Sequence, residues 1–309
     1  MRSRRSTTRP SPAETITQAI IERLESGTRP WVRPWTGGVV SRPLRSCGTP
    51  YRGINVLWLW MAAEAGGFST PFWLTYAQAQ LQGGQVRKGE RGTIAVFYKS
   101  YSKSVEDLQT GEAHDETRRV LKSFVVFNAS QIDGLPARYA PQPTPLPPAD
   151  DRDRALDGFF DAIPAKLRHG GCEAYYTPST DQISMPDVQA FRDRDHYRAT
   201  LAHELAHWTG HHSRLARSLA GRFGSDAYAM EELIAELAAA MVGSELGLPT
   251  AHLDNHASYL ASWLRVLKAD SRAILSAAAK AEEASAFLLK FGSSDRGDME
   301  NPSGFAMAA

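Results

Sequence analysis

Residues 197–213 read YRATLAHELAHWTGHHS and contain His203, Glu204 and His207 in the spacing H-E-x-x-H. On a helix, positions i and i+4 lie one above the other on the same face. Two imidazoles placed in this way can bind one metal ion, and zinc accepts nitrogen ligands at about 2.0–2.1 Å. Glu204 lies beside that face, where a carboxylate can act as the general base for hydrolysis without being a ligand. The segment therefore predicts a helix that carries one Zn2+ site.

A catalytic zinc site needs a third protein ligand, and two positions compete for it. In the pattern H-E-x-x-H-x-x-G-x-x-H the last histidine is missing here, and His212 comes one residue too early. A second predicted helix, residues 228–246, offers Glu232 and, one turn later, Glu236. We predict that Glu232 is the ligand and that Glu236 accepts a hydrogen bond from a ligating histidine; a solvated acidic stripe is the alternative. Glu231 points elsewhere on this helix and is expected at the surface.

Length and composition limit the class of protein. A chain of 309 residues is long enough for two domains, each with its own core. The two cysteines, Cys47 and Cys172, are far apart, which argues against a disulfide framework and fits a reducing cytoplasm. No apolar run approaches 18 residues, so we expect no membrane span. The basic start lacks the apolar segment of a secretory signal.

Charge is divided unevenly between the two halves of the chain. Residues 1–138 hold 19 Lys and Arg against 11 Asp and Glu, a balance of +8. Residues 139–309 hold 16 against 23, a balance of −7. A basic half beside an acidic half predicts a polyanionic partner for the first half only.

Aromatic residues are concentrated in the same basic half, which contains five of the seven tryptophans before residue 74. Bases of single-stranded DNA stack on aromatic side chains while Lys and Arg neutralise phosphates. The candidate DNA-binding residues are Trp31, Arg33, Trp35, Tyr51, Arg52, Arg87, Lys88 and Arg91. Packing in the core is the alternative role for Trp31 and Trp35, and a solvated turn is the alternative for residues 85–92.

Periodicity predicts an α+β fold with two domains. In the first domain, residues 12–135, we expect helices over 15–25, 56–65 and 72–81, and paired strands over 93–98 and 120–128 joined by a loose polar connection. Six prolines fall within residues 136–148, so a semi-rigid linker is placed at 136–150. The second domain, residues 151–291, is mainly helical with a small β-hairpin at 174–185. The tail, residues 292–309, is expected to be disordered.

The hairpin stands immediately before the H-E-x-x-H helix. Zinc peptidases usually pair an extended substrate with a strand in that position, so residues 182–185 are a candidate for substrate pairing. Tyr228 or Tyr259 could stabilise the oxyanion, with core packing as the alternative.

Several separated motifs resemble one family. They are PWVRPW (30–35), YRGIN (51–55), FWLTYAQAQ (72–80), GGQVRKGERG (83–92), FVVFNASQIDGL (124–135), ISMPD (183–187), LAHELAHWTGHHSRL (201–215), YAMEELIAEL (228–237) and SYLASWLRVLKAD (258–270). Together they are similar to the ArdC-type antirestriction proteins of conjugative plasmids, whose N-terminal domain also occurs in plasmid primases. The resemblance covers nearly the whole chain.

This resemblance implies a single-stranded-DNA-binding N-terminal domain, a zincin-like metallopeptidase domain of gluzincin type, and protection of incoming plasmid DNA from host restriction. Two other functions stay open on the sequence alone. One is a DNA-shielding protein with a structural, non-catalytic metal site. The other is a soluble zinc peptidase that cleaves a protein substrate and whose N-terminal domain recruits protein partners.

Overall fold

The computed structural model of the protein describes residues 10–31, 41–106, 113–140, 148–219, 224–248 and 257–293. Its architecture is α+β with two modules, which confirms the predicted fold class. We call the elements up to residue 140 the N-terminal module and those from residue 148 the C-terminal module. Within the described residues, no helix combines the length and the apolar character needed to cross a bilayer.

The helices of the N-terminal module are α1 (Pro12–Glu25), α2 (Ile54–Gly66) and α3 (Tyr76–Leu81). Helix α1 begins after Ser11, whose hydroxyl accepts the Glu14 N–H while the Glu14 carboxylate accepts the Ser11 N–H. This capping box satisfies two backbone donors at the helix start. The first two predicted helices of the domain are confirmed.

The strands of this module are β1 (Leu44–Arg45), β2 (Phe72–Leu74), β3 (Gln85–Val86), β4 (Thr93–Glu106), β5 (Ala113–Asn128) and β6 (Ile132–Asp133). Four of them form a sheet in the order β1-β2-β5-β4, and β3 pairs with β6. Strand β1 runs parallel to β2, while the pairs β2–β5 and β4–β5 are antiparallel.

Two predictions for this module were wrong. The helix predicted over residues 72–81 begins only after Thr75, which caps it, because Trp73 and Leu74 extend to pair with β5. Both residues are buried in the sheet. The helix was predicted from the spacing of Trp73, Tyr76 and Ala77, which resembles a helical stripe. The loose connection predicted over residues 102–118 is largely strand, since β4 and β5 pair as far as Glu106. Backbone hydrogen bonds hold such a ladder whatever the polarity of the sequence.

The C-terminal module contains α4 (Ala149–Asp161), β7 (Lys166–His169), β8 (Tyr175–Thr177), β9 (Gln182–Met185), α5 (Arg194–Thr209), α6 (Asp226–Leu246), α7 (Ala257–Ala269) and α8 (Ala273–Leu289). Short 3-10 turns occupy Ala129–Gln131, Ala137–Tyr139, Val188–Ala190 and Phe291–Ser293. Residues 294–309 of the predicted disordered tail lie outside the described residues.

The predicted hairpin is confirmed as the antiparallel pair β8–β9. A third strand, β7, pairs in parallel with the other edge of β9 and was missed. The prediction that residues 182–185 pair with a substrate is therefore wrong, because both edges of β9 are already occupied. All four residues of β7 are exposed.

One hydrophobic core joins the two modules. Ile20 of α1 and Trp60 of α2 belong to the same buried cluster as Trp263 of α7 and Ala278 of α8. Helix α6 contributes several alanines, whose small side chains allow close packing of α8. The predicted linker, residues 136–150, therefore does not separate two independent cores, and its residues 141–147 lie outside the described chain.

A second core fixes the H-E-x-x-H helix. Leu205 and Trp208 of α5 pack with Phe159 of α4, Met185 of β9 and Val242 of α6. This cluster holds one side of α5 on the small sheet and leaves its histidine face directed at α6.

Candidate metal centre

Helix α5 presents the two histidines of the motif to α6. The helix begins after Asp193, whose carboxylate accepts the His196 N–H. His203 and His207 follow one turn apart, and their Nε2 atoms lie 3.2 Å from each other. Two lone-pair nitrogens this close, in a largely buried site, are arranged for a shared cation.

Glu232 on α6 completes a set of three donors. One of its carboxylate oxygens lies 3.5 Å from the His203 Nε2 and the other lies 3.5 Å from the His207 Nε2. Donors bonded to zinc at about 2.0–2.1 Å in a tetrahedron stand about 3.3 Å apart. The observed separations of 3.2 and 3.5 Å match that spacing. These three residues therefore fit a metal ion without rearrangement, and they form a candidate metal cluster among the described residues.

The charges in this site interact strongly. Burial alone would lower the pKa of His203, but the bond to Glu232 and the charges of Glu204, Glu232 and Glu236 outweigh it and raise the pKa to about 9. Burial would raise the pKa of Glu232, but the bond to His203 and the charges of both histidines lower it to about 2. The site is thus built to hold positive charge.

Glu236 lies behind His203, but the two side chains are too far apart for the hydrogen bond that the sequence predicted between Glu236 and a ligating histidine. Its Oε2 atom is 3.8 Å from the His203 Nδ1, on the side of the ring away from Glu232. The side chain is fully buried. Carboxylates in this position orient ligating histidines and increase their basicity. Two residues of the N-terminal module, Arg29 and Trp31, donate to its other oxygen.

Glu231 is not at the surface, and that prediction was wrong. It is buried, and its Oε1 atom lies 3.3 Å from the His207 Nδ1. Arg217 donates to both of its oxygens at 2.7 and 3.1 Å, and also donates to Thr209 and to the Ala206 carbonyl. Each histidine is therefore backed by its own carboxylate, and each carboxylate has an arginine partner.

We expect Glu231→Gln to weaken zinc binding by roughly 10- to 100-fold, the range typical of supporting partners. The amide keeps the shape but loses the charge that faces the His207 Nδ1. Competition titration with a chromophoric chelator measures this change. Glu245→Gln on the same helix is the control, because Glu245 pairs with Arg42 rather than with a histidine. Equal affinities of the two variants would contradict the assigned position.

The other residues predicted to take part in the site are Glu204, the two tyrosines and His212. Glu204 is buried, and its charge acts on both His203 and Tyr259. The Tyr228 and Tyr259 hydroxyls lie 3.0 Å apart, and burial with this bond raises the pKa of Tyr228. His212 is exposed and lies against the ring of His211, so the alternative third ligand is not part of the donor set.

The structure separates the predicted DNA-binding residues. Trp31 and Tyr51 are buried, so neither ring can stack on a base, and their nomination was wrong. Exposed members of the set are Arg52, Lys88, Arg91 and Arg87. Arg87 is already paired with Glu90 and Asp133. Arg33 and Trp35 lie outside the described residues.

An aromatic residue missed on the sequence is exposed on β4. Phe97 is 45% exposed, its ring lies 5.8 Å from that of Phe124, and Lys122 is its partner directly opposite on β5. Tyr98 is 57% exposed and, as the next residue of the strand, points to the other face. The strand over residues 93–98 was predicted, but its periodicity could not show which face of the strand is exposed to solvent.

Comparison with known families gives two matches, and the boundary between the two modules lies in the gap between them. Residues 11–127 match the N-terminal domain of the anti-restriction factor ArdC. Residues 154–280 match a zincin-like metallopeptidase family. The first match runs from α1 almost to the end of β5, and the second runs from within α4 into α8 and includes the complete donor set.

Several relatives share most of the chain. The protein y4eC of Sinorhizobium fredii is 42% identical over 276 residues, which are 87% of this chain and 89% of y4eC. The DNA primase TraC of Escherichia coli is 40% identical over 298 residues, which are 90% of this chain and 27% of the primase. This chain therefore spans about a quarter of that primase.

Two crystal structures of the antirestriction protein ArdC from plasmid R388 have the same fold. The metal-free form has a TM-score of 0.76 and 42% identity, and covers 92% of this chain and 98% of that one. The Mn(II)-bound form has a TM-score of 0.75 and 40% identity, and covers 93% of this chain and 100% of that one. Because sequence, fold and both family matches agree over nearly the full length, the chain belongs to the ArdC family of antirestriction proteins.

Proposed function

We propose that this protein binds single-stranded DNA through its N-terminal module, carries a zinc peptidase in its C-terminal module, and protects incoming plasmid DNA from host restriction during conjugation. The observation that carries the peptidase is the largely buried set of His203, His207 and Glu232, with Glu204 adjacent in sequence to the first ligand. A plasmid transfer assay into a restricting host tests the protective role.

The metal is proposed to be one zinc ion held by His203, His207 and Glu232. Two imidazole nitrogens, one carboxylate and one open position form a donor set typical of catalytic zinc. The Mn(II) in R388 ArdC is a property of that structure, and the same donors also accept other divalent ions. Elemental analysis of the purified protein distinguishes zinc from manganese; manganese at full stoichiometry would contradict the assignment.

Zinc, when bound, supplies a Lewis acid that polarises a carbonyl and acidifies a water. In this chain Glu204 is the proposed general base, which accepts a proton and returns it to the leaving amine. Glu204 is buried next to the first ligand, His203, which fits that role. The exposed outer edge of β7 is the proposed place for an extended protein substrate, by addition of a strand.

Glu204→Gln separates the peptidase from a shielding protein with a structural metal site. We expect this variant to retain zinc, because Glu204 is outside the donor set, and to lose hydrolysis by at least about 100-fold, the lower end for a lost general base. Peptide cleavage and plasmid protection are measured on the same preparation. If protection is unchanged, the shielding function without catalysis replaces the proposed one.

Single-stranded DNA is proposed to lie along β4 and β5. Phe97 offers an exposed ring, and the cross-strand Lys122 offers a cation for the adjacent phosphate. Arg52, Lys88 and Arg91 are the further exposed cations of the module. Together these residues provide the stacking and charge that sequence-tolerant binding requires.

We expect Phe97→Ala to weaken binding to a single-stranded oligonucleotide by roughly 5- to 150-fold, equivalent to about 1–3 kcal/mol for one stacked base. Fluorescence anisotropy at two or more salt concentrations measures affinity and salt dependence together. Tyr98→Ala is the matched control, since it removes an exposed ring from the opposite face of the same strand. A larger loss of affinity in Tyr98→Ala than in Phe97→Ala would show that the DNA binds the opposite face.

The proposed location is the cytoplasm, where conjugated DNA arrives. Cys47 and Cys172 are both exposed free thiols, which agrees with a reducing compartment.

A further inference from the structure

The metal centre is physically joined to the N-terminal module at Glu236. The Trp31 Nε1 atom donates to the Glu236 Oε1 at 3.0 Å, and the Arg29 Nη1 atom donates to the same oxygen at 3.0 Å. Glu236 has no exposed surface, and Trp31 is also fully buried. These bonds connect residues more than 200 positions apart in the chain.

The two donors differ in how firmly the surrounding chain holds them. Trp31 packs edge-to-face on Trp263 of α7, with 5.6 Å between the ring centroids, inside the core shared by both modules. Arg29 follows α1 by four residues and keeps 18% of its side chain exposed. Because the indole is fully buried and packs on Trp263, its N–H is held toward Glu236.

This arrangement determines which way the Glu236 carboxylate faces. Both donors use Oε1, and Oε2 is left facing the His203 Nδ1 at 3.8 Å. A buried carboxylate is stable only when its charge and lone pairs are matched, and Arg29 and Trp31 supply that match.

We propose that Trp31 and Arg29 are positioning residues of the metal centre, which act through Glu236 on His203. The N-terminal module thus builds part of the metal site, beyond any contact it makes with DNA. This inference rests on the proposed role of His203 as a ligand.

The test is a Zn2+ titration of the full-length protein against a chromophoric chelator, comparing Trp31→Phe with the unmodified chain. We expect zinc affinity to fall by about 3- to 10-fold, part of the roughly 10- to 100-fold loss typical of outer-shell changes. Trp60→Phe is the matched control, because Trp60 is buried in the same core and donates to the Ser41 carbonyl instead. We expect the control to change zinc affinity less than about 2-fold, well short of an outer-shell effect.

A double-mutant cycle with Glu236→Gln distinguishes positioning from general destabilisation. If Trp31 acts through Glu236, adding Trp31→Phe to Glu236→Gln causes no further loss of zinc affinity. Equal effects of Trp31→Phe and Trp60→Phe, or additive losses in the cycle, would overturn the inference. If Trp31→Phe does not fold, the same double-mutant cycle is run with Arg29→Met, because Arg29 is partly exposed and its replacement disturbs the core less. An unmodified protein that binds no zinc would overturn the proposed site itself, and this inference with it.

Discussion

Replacing Glu232 with alanine is expected to remove the bound metal almost completely. The loss in affinity should exceed the roughly 100-fold upper limit for supporting residues, because a direct ligand is deleted. The two histidines that remain, 3.2 Å apart at Nε2, would share the ion with no carboxylate to balance its charge. Elemental analysis after dialysis, at known protein concentration, measures the metal content per chain.

The control for this experiment is Glu204→Gln, in which a neighbouring buried carboxylate is removed but the donor set stays intact. This control should retain one ion per chain. Full occupancy in Glu232→Ala would show that the third ligand is a different residue, and Glu231 would then be the first to examine because it too approaches His207.

The largest effect on stability is expected at Arg198, which is 2% exposed between α4 and α5. Its guanidinium donates to Asp153 at 2.6 Å, to Asp157 at 2.7 Å and to Asp195 at 3.3 Å. Arg198→Leu removes the buried cation that the three carboxylates share and leaves them only the more exposed Arg152 and Arg194. Breaking a buried ion pair in this way costs about 3–5 kcal/mol, and we expect the lower end because the carboxylates are partly solvated. Urea unfolding measures the difference.

Arg154→Leu is the matched control, since Arg154 is 77% exposed and pairs with Asp151 on the surface of α4. Its loss should cost at most about 1 kcal/mol.

The effect of Arg198→Leu should also depend on pH. The hydrogen bond from Arg198 lowers the pKa of Asp153, so this stabilisation is present above the unfolded pKa of about 4 and is lost as the pH falls through the lower folded value. A difference between Arg198→Leu and the unmodified protein that grows on acidification would contradict this account.

The donor set could be predicted because its geometry is local. The i and i+4 spacing places His203 and His207 on one face whatever surrounds the helix, and the Glu232–Glu236 spacing does the same on α6. The partners of these residues are not local. Glu231 is buried because Arg217 folds back from the loop after α5 to meet it, and no spacing rule indicates that approach.

The N-terminal module illustrates the opposite case. Trp31 was nominated for DNA because it lies in a Pro-rich, basic stretch, yet it is buried against Trp263 from the far end of the chain. A contact between segments that are so distant in sequence leaves no periodic signal. In the same way, the pairing that makes Phe72–Leu74 a strand depends on β5, more than 50 residues later. Tertiary contacts therefore determine the structure of these two segments, which the local sequence pattern could not predict.

The central claim is that one ion is held between α5 and α6 by His203, His207 and Glu232. The most direct measurement is a crystal structure of the full-length protein grown with zinc, with anomalous diffraction recorded on both sides of the zinc edge. We predict one strong peak about 2 Å from the Nε2 atoms of both histidines and from a Glu232 oxygen. A peak bound elsewhere, or these three side chains turned away from one another around no ion, would contradict the account.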